Sequence, residues 1–584
     1  MSSLSHSTLR HVSNAKLKTI RRRLAKLYGE RAERLLERFY HMLGRYGVGF
    51  QTTSPGNRWS ERDTVLITYA DMVQNEKEHS LATLRKFCAE RLKGAISTIH
   101  VLPFFPWSSD DGFSVVDFRM VNANYGDWND VRALGSEFDL MFDLVLNHCS
   151  AESDWFKDYL AGVEPAAHYF YEADPDADLS SVVRPRATPL LTPVTTRSGE
   201  RHVWTTFSAD QVDLDWRSPD LLFEFLDVLA LYLSMGCRVL RLDAVAFLWK
   251  EIGTDCLHLP KTHEVIKLLR DFLDVAAPEA ILLTETNVPH QENVGYFGRG
   301  NEAHLVYQFS LPPLLLHGLL AGNSRYLSDW ASGLEPPPKG CSFLNFTASH
   351  DGIGVRPLEG ILADAEILDL ADQAKKRGGD VSMRMVEGGD EMPYELNITY
   401  FDALSEPDDD ALSEARFRCS QAVALSMQGI PAVYFHSLTA TRNYSEGVEE
   451  SGRARTINRR KWQADELASL LHDAESLHAR VFDWYVRSLR HRSACPAFHP
   501  DAPQKIHDFG PKVFAVERTA IDGSQTILCL FNFTNGPVVL DDWRNLEGFF
   551  PNRSTRDVLG GSEIELPPEG LELRPYQALW LVAR

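Results

Sequence analysis

The sequence predicts an α/β fold: a (β/α)8 TIM barrel with inserted loop domains, an N-terminal helical extension and a C-terminal antiparallel β domain. From residue 65, short apolar runs alternate with helical stretches, which is typical of parallel β/α units. There are enough such runs for a closed barrel. The eight runs are VLITYA, ISTIHVLPFFP, DLMFDLVLNH, CRVLRLDAVAF, AILLTETN, HLVYQFSLPP, SFLNFTASHD and IPAVYF.

Changes of pattern along the chain give the domain boundaries. Two spacings between strands are too long for simple crossovers and indicate insertions, which normally build the substrate pocket of a barrel. After residue 495 short alternating runs are punctuated by Gly, Pro and Asn, as in a small antiparallel domain. The predicted units are an N-terminal helical extension (1–60), three barrel segments (61–149, 205–352 and 406–494), an inserted domain B (150–204), an inserted domain B′ (353–405) and a C-terminal β domain (495–584).

The N-terminal extension shows apolar residues at helical spacing between positions 14 and 47. This pattern predicts one or two amphipathic helices packed on the main body. Arg21, Arg22 and Arg23 interrupt the apolar positions. We expect this triplet to lie on a solvated helix face rather than to bind a ligand.

The composition excludes several classes of protein. With 44% hydrophobic and 24% charged residues the chain is an ordinary globular protein rather than a disordered, collagen-like or coiled-coil one. A net charge of −21 argues against nucleic-acid and anionic-membrane partners. The eight cysteines are scattered without a CxxC pair, which favours free thiols in a reducing cytoplasm. The sequence contains no run of 18 apolar residues, so no membrane span is expected.

Three carboxylates end apolar runs that have the pattern of buried strands. Asp243 follows VLRL, Glu285 follows ILLT, and Asp351 closes FLNFTASHD. Each alone is equally well explained as a buried ion pair or a strand-end acid facing solvent. Burying three carboxylates is costly, however, and the ends of barrel strands meet at one active-site face. Together they predict a nucleophile, an acid/base and a helper carboxylate in a retaining glycoside-cleaving centre.

Neighbouring residues predict different charge states for these acids. Arg241 lies two residues before Asp243 on the same strand face, and its positive charge should lower the pKa of Asp243 and keep it ionised. Apolar walls and a second carboxylate should raise the pKa of Glu285, as a general acid requires. His148 and His350 also end strands, and we expect them to bind sugar hydroxyls around the acids.

Four motifs resemble the signature regions of the α-amylase superfamily (glycoside hydrolase family 13) of retaining α-glucoside-active enzymes. They are DLVLNH, RLDAVAF, TETN and ASHD, in the usual order and on the corresponding strands. Longer stretches, among them LPFFPWSSDDGFSVVDF, RPRATPLLTP and VWTTFSADQVDLD, resemble the sucrose-phosphorylase branch of that superfamily. The resemblance extends from about residue 61 to the C-terminus.

This resemblance implies a double displacement with net retention. Asp243 would attack the anomeric carbon to form a β-glucosyl-enzyme, Glu285 would protonate the leaving oxygen and then activate phosphate, and Asp351 would brace the distorted ring. The further substrate-binding residues implied by the resemblance are Asp110, His148, Phe207, Gln211, Arg241, Phe247, His350, Tyr394, Glu395 and Arg455, and the phosphate-binding residues are Arg186 and Tyr394.

Two positions depart from the sucrose phosphorylases. Phe247 stands where they usually carry a tyrosine, and Glu395 where they carry a glutamine near the acceptor. Other features resemble instead the glucosylglycerate phosphorylases, a sister group. These features are the stretches PYELNITYFDAL and GTDCLHLPKTH and the N-terminal extension. This resemblance implies reversible phosphorolysis of 2-O-α-D-glucosyl-D-glycerate to α-D-glucose 1-phosphate and D-glycerate. The candidate cations for the carboxylate of glycerate are Arg184, Arg186, Lys261, Arg356 and His258.

Several alternatives remain open at this point. The nearest alternative is sucrose phosphorylase or a related acceptor variant that uses glucosylglycerol or sucrose 6-phosphate. The next alternative is an α-glucoside hydrolase or transglucosidase. A sugar-binding protein without catalysis would be expected to have lost a central carboxylate. No metal site and no cofactor is expected, with inorganic phosphate as co-substrate. The expected partners are a sugar and phosphate, without nucleic acid or membrane, bound by a cytoplasmic monomer or homodimer.

Overall fold

A closed barrel of eight parallel strands forms the centre of the molecule, which confirms the predicted fold class. The computed structural model describes residues 13–45, 58–185, 188–385, 391–540, 548–550, 554–567 and 570–583. Each predicted run contributes one barrel strand, and the strands adjoin in the order of the sequence. The runs are apolar because helices cover the outer face of the barrel while side chains fill its inside.

The strands up to the C-terminal domain are β1 (Val65–Thr68), β2 (Val73–Gln74), β3 (Thr98–Val101), β4 (Asp139–Val145), β5 (His148–Ser150), β6 (Leu191–Thr196), β7 (Gly199–Trp204), β8 (Gln211–Asp213), β9 (Cys237–Asp243), β10 (Ile281–Thr284), β11 (Leu305–Tyr307), β12 (Ser342–Asn345), β13 (Ile353–Gly354), β14 (Asp380–Met385), β15 (Glu391–Asn397), β16 (Ile430–Tyr434) and β17 (Trp462–Gln463). The barrel consists of β1, β3, β4, β9, β10, β11, β12 and β16. Parallel pairing aligns the carboxyl ends of these strands at one mouth.

The α-helices are α1 (Asn14–Tyr28), α2 (Ala32–Arg45), α3 (Ser80–Arg91), α4 (Trp128–Gly135), α5 (Asp154–Ala161), α6 (Pro219–Ser234), α7 (Pro260–Ala276), α8 (His290–Val294), α9 (Leu311–Ala321), α10 (Arg325–Ser332), α11 (Asp364–Lys376), α12 (Tyr400–Ala403), α13 (Asp410–Ser426), α14 (Phe435–Leu438), α15 (Ser445–Ser451), α16 (Ala464–His472) and α17 (Leu477–Ser493). Among the described residues, no helix is long and apolar enough to cross a membrane.

The N-terminal helices α1 and α2 pack on the outside of the barrel. Ser13 caps α1 by accepting a hydrogen bond from the backbone N–H of Lys16 at 3.2 Å. The expectation of a fully solvated arginine triplet is wrong for Arg23. Its Nε donates to Asp271 on α7 at 2.5 Å, and both side chains are buried, because position 23 faces the barrel while Arg21 and Arg22 are exposed.

Two insertions rise over the carboxyl ends of the barrel strands. The first contains the antiparallel hairpin β6–β7. The second follows Asp351 and contains α11 together with a three-stranded sheet in the order β13, β15, β14. β13 and β15 pair with Ile353 opposite Leu396 and Gly354 opposite Glu395, which places the second insertion beside the loop that carries Asp351. The boundaries of the predicted domains stay predictions.

The C-terminal part of the chain forms an antiparallel β domain, as predicted. Its strands are β18 (Gln504–Asp508), β19 (Val513–Thr519), β20 (Thr526–Asn532), β21 (Val538–Leu540), β22 (Ser554–Asp557), β23 (Ser562–Glu565), β24 (Leu571–Leu573) and β25 (Ala578–Ala583). Six of them form one sheet in the order β18, β19, β20, β25, β22, β23, and β21 pairs with β24.

Candidate active site

A cavity of about 550 Å³ opens at the carboxyl ends of the barrel strands. Of the residues predicted for the site, the structure places on its wall Asp110, His148, Phe207, Gln211, Arg241, Asp243, Phe247, Glu285, His350, Asp351, Tyr394, Glu395 and Arg455. Arg186, predicted to bind phosphate, lies outside the described residues. The parallel register brings these side chains together from distant parts of the chain.

Asp243 ends β9 and is held by the guanidinium of Arg241. Nη1 of Arg241 donates to Oδ1 of Asp243 at 2.7 Å and also to Asp143, which lies opposite Arg241 on β4. His100 binds the other oxygen of Asp143 at 2.7 Å. This buried chain of charges fixes the orientation of the Asp243 carboxylate at the cavity wall.

The expected charge state of Asp243 needs a correction. Burial raises the pKa of Asp243, and the nearby Asp143 adds to this, although Arg241 opposes both. The prediction that the pKa of Asp243 is lowered is therefore wrong. For Asp143, burial also works against ionisation, but Arg241 and His100 outweigh it and hold its pKa below the usual value. Asp143 is thus the stronger counter-charge for the shared arginine.

Glu285 follows β10 and has the environment of a proton donor. Oε2 accepts a hydrogen bond from the backbone N–H of Ala244 at 3.0 Å and lies 3.9 Å from Nη2 of Arg241. Burial raises the pKa of Glu285 to about 7; Arg241 opposes this rise, while Asp243 and Asp351 strengthen it. The direction is the one predicted, and at neutral pH Glu285 is poised to give or take a proton.

Asp351 lies in the loop after β12, among cations. Arg455 Nη1 lies 2.6 Å from its Oδ1, and Arg459 Nη2 is 3.8 Å from the same oxygen. His350 Nε2 is 3.4 Å from Oδ2 of Asp351. His350 stacks on Phe113 with ring centroids 4.7 Å apart, and burial beside two arginines holds its pKa well below the ordinary value. His350 is therefore a neutral hydrogen-bonding group.

Arg455 joins the second insertion to the catalytic mouth. Its Nε and Nη2 donate to the two oxygens of Glu395 at 2.9 and 2.6 Å, a bidentate pair. The backbone comes close here: a Cβ at Gly352 would lie 2.5 Å from the carbonyl oxygen of Leu396. Glycine at position 352 lets β15, and with it Glu395, approach the loop that carries Asp351.

His148 and Gln211 lie on the paired strands β5 and β8. His148 Nε2 is 3.0 Å from the carbonyl oxygen of Phe113, so this nitrogen is the donor. Gln211 Nε2 lies 3.2 Å from the same nitrogen and 3.5 Å from Oδ2 of Asp110. These residues line up polar groups along one side of the cavity, where they can meet sugar hydroxyls.

Phe207 and Phe247 form the apolar part of the wall. Their ring centroids are 5.6 Å apart with the planes at 82°, and Phe207 also lies 5.1 Å from the ring of His148. An apolar wall of this kind suits the apolar face of a pyranose ring.

Lys250 connects the loops around Asp243. Its buried Nζ donates to Oδ1 of Asn147 at 2.9 Å and to the backbone carbonyl of Phe247 at 2.9 Å, and lies 2.8 Å from Oδ2 of Asp213. Within the described ranges, no group of three or more His, Cys, Asp or Glu residues is placed to hold a metal ion.

The structure brings several unpredicted residues to the site. Arg459 belongs to the stretch INRR (457–460), in which nothing distinguishes its role from that of its neighbours. Asn287 lies two residues after Glu285, where a strand-end pattern could have indicated it. The unpredicted residues on the cavity wall include Asn287, Tyr307, Phe309, Arg384 and Asn458.

The structure also divides the candidate cations for an acceptor carboxylate. Arg184 and Arg356 line the cavity. Lys261 lies 4.8 Å above the ring of Trp249 and is not part of the wall. His258, also outside the wall, lies between Glu292 and Tyr296.

Comparison with known proteins agrees with this geometry. The α-amylase catalytic domain matches residues 93–319. Glucosylglycerate phosphorylase from Allomeiothermus silvanus is 45% identical, covering 95% of this chain and 97% of that protein. The chain belongs to the α-amylase superfamily. Within this superfamily it lies on the sucrose-phosphorylase branch, as its motifs predict, and it is an enzyme that acts on an α-glucoside.

Other relatives fit the same placement. Glucosylglycerate phosphorylase from Escherichia coli is 44% identical over 90% of this chain and 92% of that protein. Sucrose phosphorylase from Agrobacterium vitis is 30% identical over 77% and 91%. The crystal structure of sucrose 6F-phosphate phosphorylase from Thermoanaerobacter thermosaccharolyticum shares the fold, with a TM-score of 0.71 at 24% identity, over 83% of this chain and 96% of that one.

Proposed function

We propose that this enzyme catalyses the reversible phosphorolysis of 2-O-α-D-glucosyl-D-glycerate to α-D-glucose 1-phosphate and D-glycerate, with retention at the anomeric carbon. The observation that carries the proposal is the 45% identity over 95% of the chain with a glucosylglycerate phosphorylase. The three acids at the barrel mouth and the raised pKa of Glu285 support a double displacement.

In the first step Asp243 attacks the anomeric carbon. A bond forms between this carbon and a carboxylate oxygen of Asp243, while the bond to the 2-oxygen of glycerate breaks. Glu285 gives its proton to that oxygen, and D-glycerate leaves. Arg241 holds Asp243 with Oδ1 at 2.7 Å, which fixes the direction of the attack.

In the second step phosphate attacks the same carbon from the opposite face. The ester to Asp243 breaks, and Glu285 accepts a proton from the phosphate. In the free enzyme the negative charge of Asp243 raises the pKa of Glu285. Formation of the ester has already removed this charge. The pKa of Glu285 therefore falls in the glucosyl-enzyme, and the same carboxyl group changes from acid to base.

The remaining wall residues receive binding roles in this proposal. Asp351, with His350, His148 and Arg241, braces the hydroxyls of the distorted glucose ring. Asp110 and Arg455 hold its far side. Phe207, Gln211 and Phe247 line the pocket of the nucleophile, Glu395 lies toward the acceptor, and Tyr394 with Arg186 binds phosphate. Arg455 is fixed for this role by its 2.6 Å contacts with Asp351 and Glu395.

We further propose that the enzyme needs no cofactor besides phosphate as co-substrate, and works in the cytoplasm as a monomer or homodimer on small molecules only. All eight cysteines are buried free thiols, which is compatible with a reducing compartment. The net charge of −21 is unfavourable for binding to nucleic acid or anionic membranes.

The decisive experiment measures phosphate release from α-D-glucose 1-phosphate with D-glycerate, fructose, glycerol or no acceptor. We expect D-glycerate to give the highest kcat/KM, the NMR spectrum of the product to show an α-linkage, and dialysis against EDTA to change nothing. Asp243→Asn is the control for background activity, because it removes the nucleophile and leaves the cavity intact. Turnover with fructose but not D-glycerate would contradict the proposal, and glucose formation independent of phosphate would indicate a hydrolase.

A further inference from the structure

The arginines on the cavity wall differ in their partners. Four of those in the described ranges have fixed acceptors: Arg241 binds Asp143 and Asp243, Arg455 binds Asp351 and Glu395, Arg384 binds Glu359, and Arg184 donates to the carbonyl of Thr188. Arg356 has none of these. Among the described residues its guanidinium makes no hydrogen bond, its Nε is buried, and Nη2 lies 3.9 Å from Oε2 of Glu292.

The backbone places Arg356 beside the acid/base residue. The backbone N–H of Val355 donates to the carbonyl of Tyr394 at 3.0 Å, so position 356 directly follows the pairing of β13 with β15. Gly354 packs on Asn287, since a Cβ at position 354 would lie 2.5 Å from its side-chain amide. Asn287 is two residues from Glu285. Arg356 therefore lies on the same cavity wall as Asn287 and Glu285, the acid/base of the proposed mechanism.

A guanidinium whose buried Nε lacks a hydrogen bond would be stabilised by an anionic partner. Buried polar atoms are nearly always hydrogen-bonded, and the guanidinium presents a planar fork that matches a carboxylate. Asn287 has a complementary feature: its Oδ1 is also buried and lacks a hydrogen-bond partner in the described part of the chain. A donor fork next to a single acceptor fits a small hydroxy acid, whose carboxylate and hydroxyl can satisfy both.

We propose that Arg356 binds the carboxylate of the acceptor and that Asn287 accepts a hydrogen bond from its free hydroxyl. This inference rests on the proposed function and names the residues that select glycerate. Lys261 and His258 do not compete for this role, because neither lines the cavity. Arg356 is a specificity residue on the acceptor side and takes no part in the bond exchange at the anomeric carbon.

Arg356→Gln tests the proposal in the synthetic direction, with α-D-glucose 1-phosphate as donor and either D-glycerate or glycerol as acceptor. We expect kcat/KM for D-glycerate to fall about 100-fold, mainly through KM, because a charged hydrogen-bonded contact is lost. Turnover with neutral glycerol and hydrolysis of the donor should stay within about threefold. Arg356→Lys should recover part of the loss, since it keeps the charge and loses the fork.

Lys261→Gln is the control, a cation that lies over the ring of Trp249 and outside the cavity wall. It should leave kcat/KM for D-glycerate within about threefold, and thermal unfolding should show that both variants fold. Phosphate is the other anion that Arg356 could bind, so kcat/KM for phosphate is measured with glucosylglycerate. The proposal predicts that Arg356→Gln lowers kcat/KM for D-glycerate more than kcat/KM for phosphate. If the ratio of these two values does not fall, the proposal is overturned. If the wild-type enzyme shows no turnover with D-glycerate, the proposed function is overturned instead.

Discussion

Two acids at the barrel mouth share one arginine but differ in their contacts with it. Asp243 is bonded to Arg241 at 2.7 Å, whereas Glu285 is 3.9 Å from it and accepts a backbone N–H at 3.0 Å. Burial raises the pKa of both carboxyls, to about 7 for Glu285, and Arg241 opposes the rise in each. In the mechanism proposed above, the closer contact favours the anion on Asp243, the nucleophile, and the longer one leaves the proton on Glu285, the acid/base.

The pH dependence of phosphorolysis should report the proton on Glu285. Because the first step needs the protonated form, kcat/KM for glucosylglycerate should fall about tenfold per unit as pH rises above about 7. α-D-glucosyl fluoride needs little proton donation to its leaving group, so its kcat/KM should lack this alkaline limb. Glu285→Gln should lose phosphorolysis of glucosylglycerate and retain the formation of the glucosyl-enzyme from the fluoride. An identical limb with both donors would contradict the assignment.

Individual site residues differ in how far the sequence predicts them. Asp243, Glu285 and Asp351 are predictable because a charge that ends a buried run is unusual. Asn287 is not predicted, and Arg356 is predicted only as one of five candidate cations. What distinguishes them is that Arg356 Nε and Asn287 Oδ1 lack a hydrogen bond within the described part of the chain, which depends on how the second insertion packs. The sign of the pKa shift at Asp243 likewise depends on complete burial and on Asp143 across the strand pair, neither of which is visible along the chain.

At the scale of elements, the barrel strands are predictable, because a strand buried on both faces gives an apolar run that stops abruptly at the loop. All eight predicted runs contain an observed strand. The short pairs β5–β8 and β2–β17 are not predictable in this way, since two or three residues carry no period. Their pairing comes from loops that the barrel brings together.

Lys250 is the residue that connects the elements around the nucleophile. Lys250→Met would leave Asp213 buried without its cation, which lies at 2.8 Å, and should lower the free energy of unfolding by about 3–5 kcal/mol. Lys250→Met should also lower kcat more than the loss of stability explains. Lys250 donates a hydrogen bond to Asn147, which directly precedes His148 on the cavity wall. Urea unfolding and kcat measured well below the unfolding midpoint check the two effects. The exposed Lys157→Met, on α5, is the control, and unchanged stability of Lys250→Met would show that the buried pair contributes nothing.

At the scale of the whole molecule, the N-terminal extension is bound to the barrel by buried charge rather than by apolar contact alone. Arg23 reaches Asp271 at 2.5 Å and Glu264 at 3.4 Å, and Lys16 reaches Asp271 at 2.6 Å. These contacts lie on α7, on the outer side of the barrel. The described residues of the extension therefore hold to the barrel without lining the cavity.

Arg23→Ala should separate these two properties. It leaves Asp271 with Lys16 as its cation among the described residues and should destabilise the fold by about 3 kcal/mol, since one partner of a buried pair is removed. In the folded enzyme kcat and KM should stay within about twofold. Arg21→Ala, which removes an exposed arginine of the same helix, is the control and should have little effect. A loss of kcat in Arg23→Ala below the unfolding midpoint would show that the extension takes part in catalysis.

In the proposed mechanism, the residues of the bond exchange and most of those on the acceptor side come from separate stretches of the chain. Asp243 and Glu285 stand on barrel strands, whereas Arg356, Tyr394 and Glu395 belong to the insertion that follows Asp351. Exchange of the contiguous segment that carries these three residues would therefore change the acceptor side of the cavity and leave Asp243 and Glu285 in place.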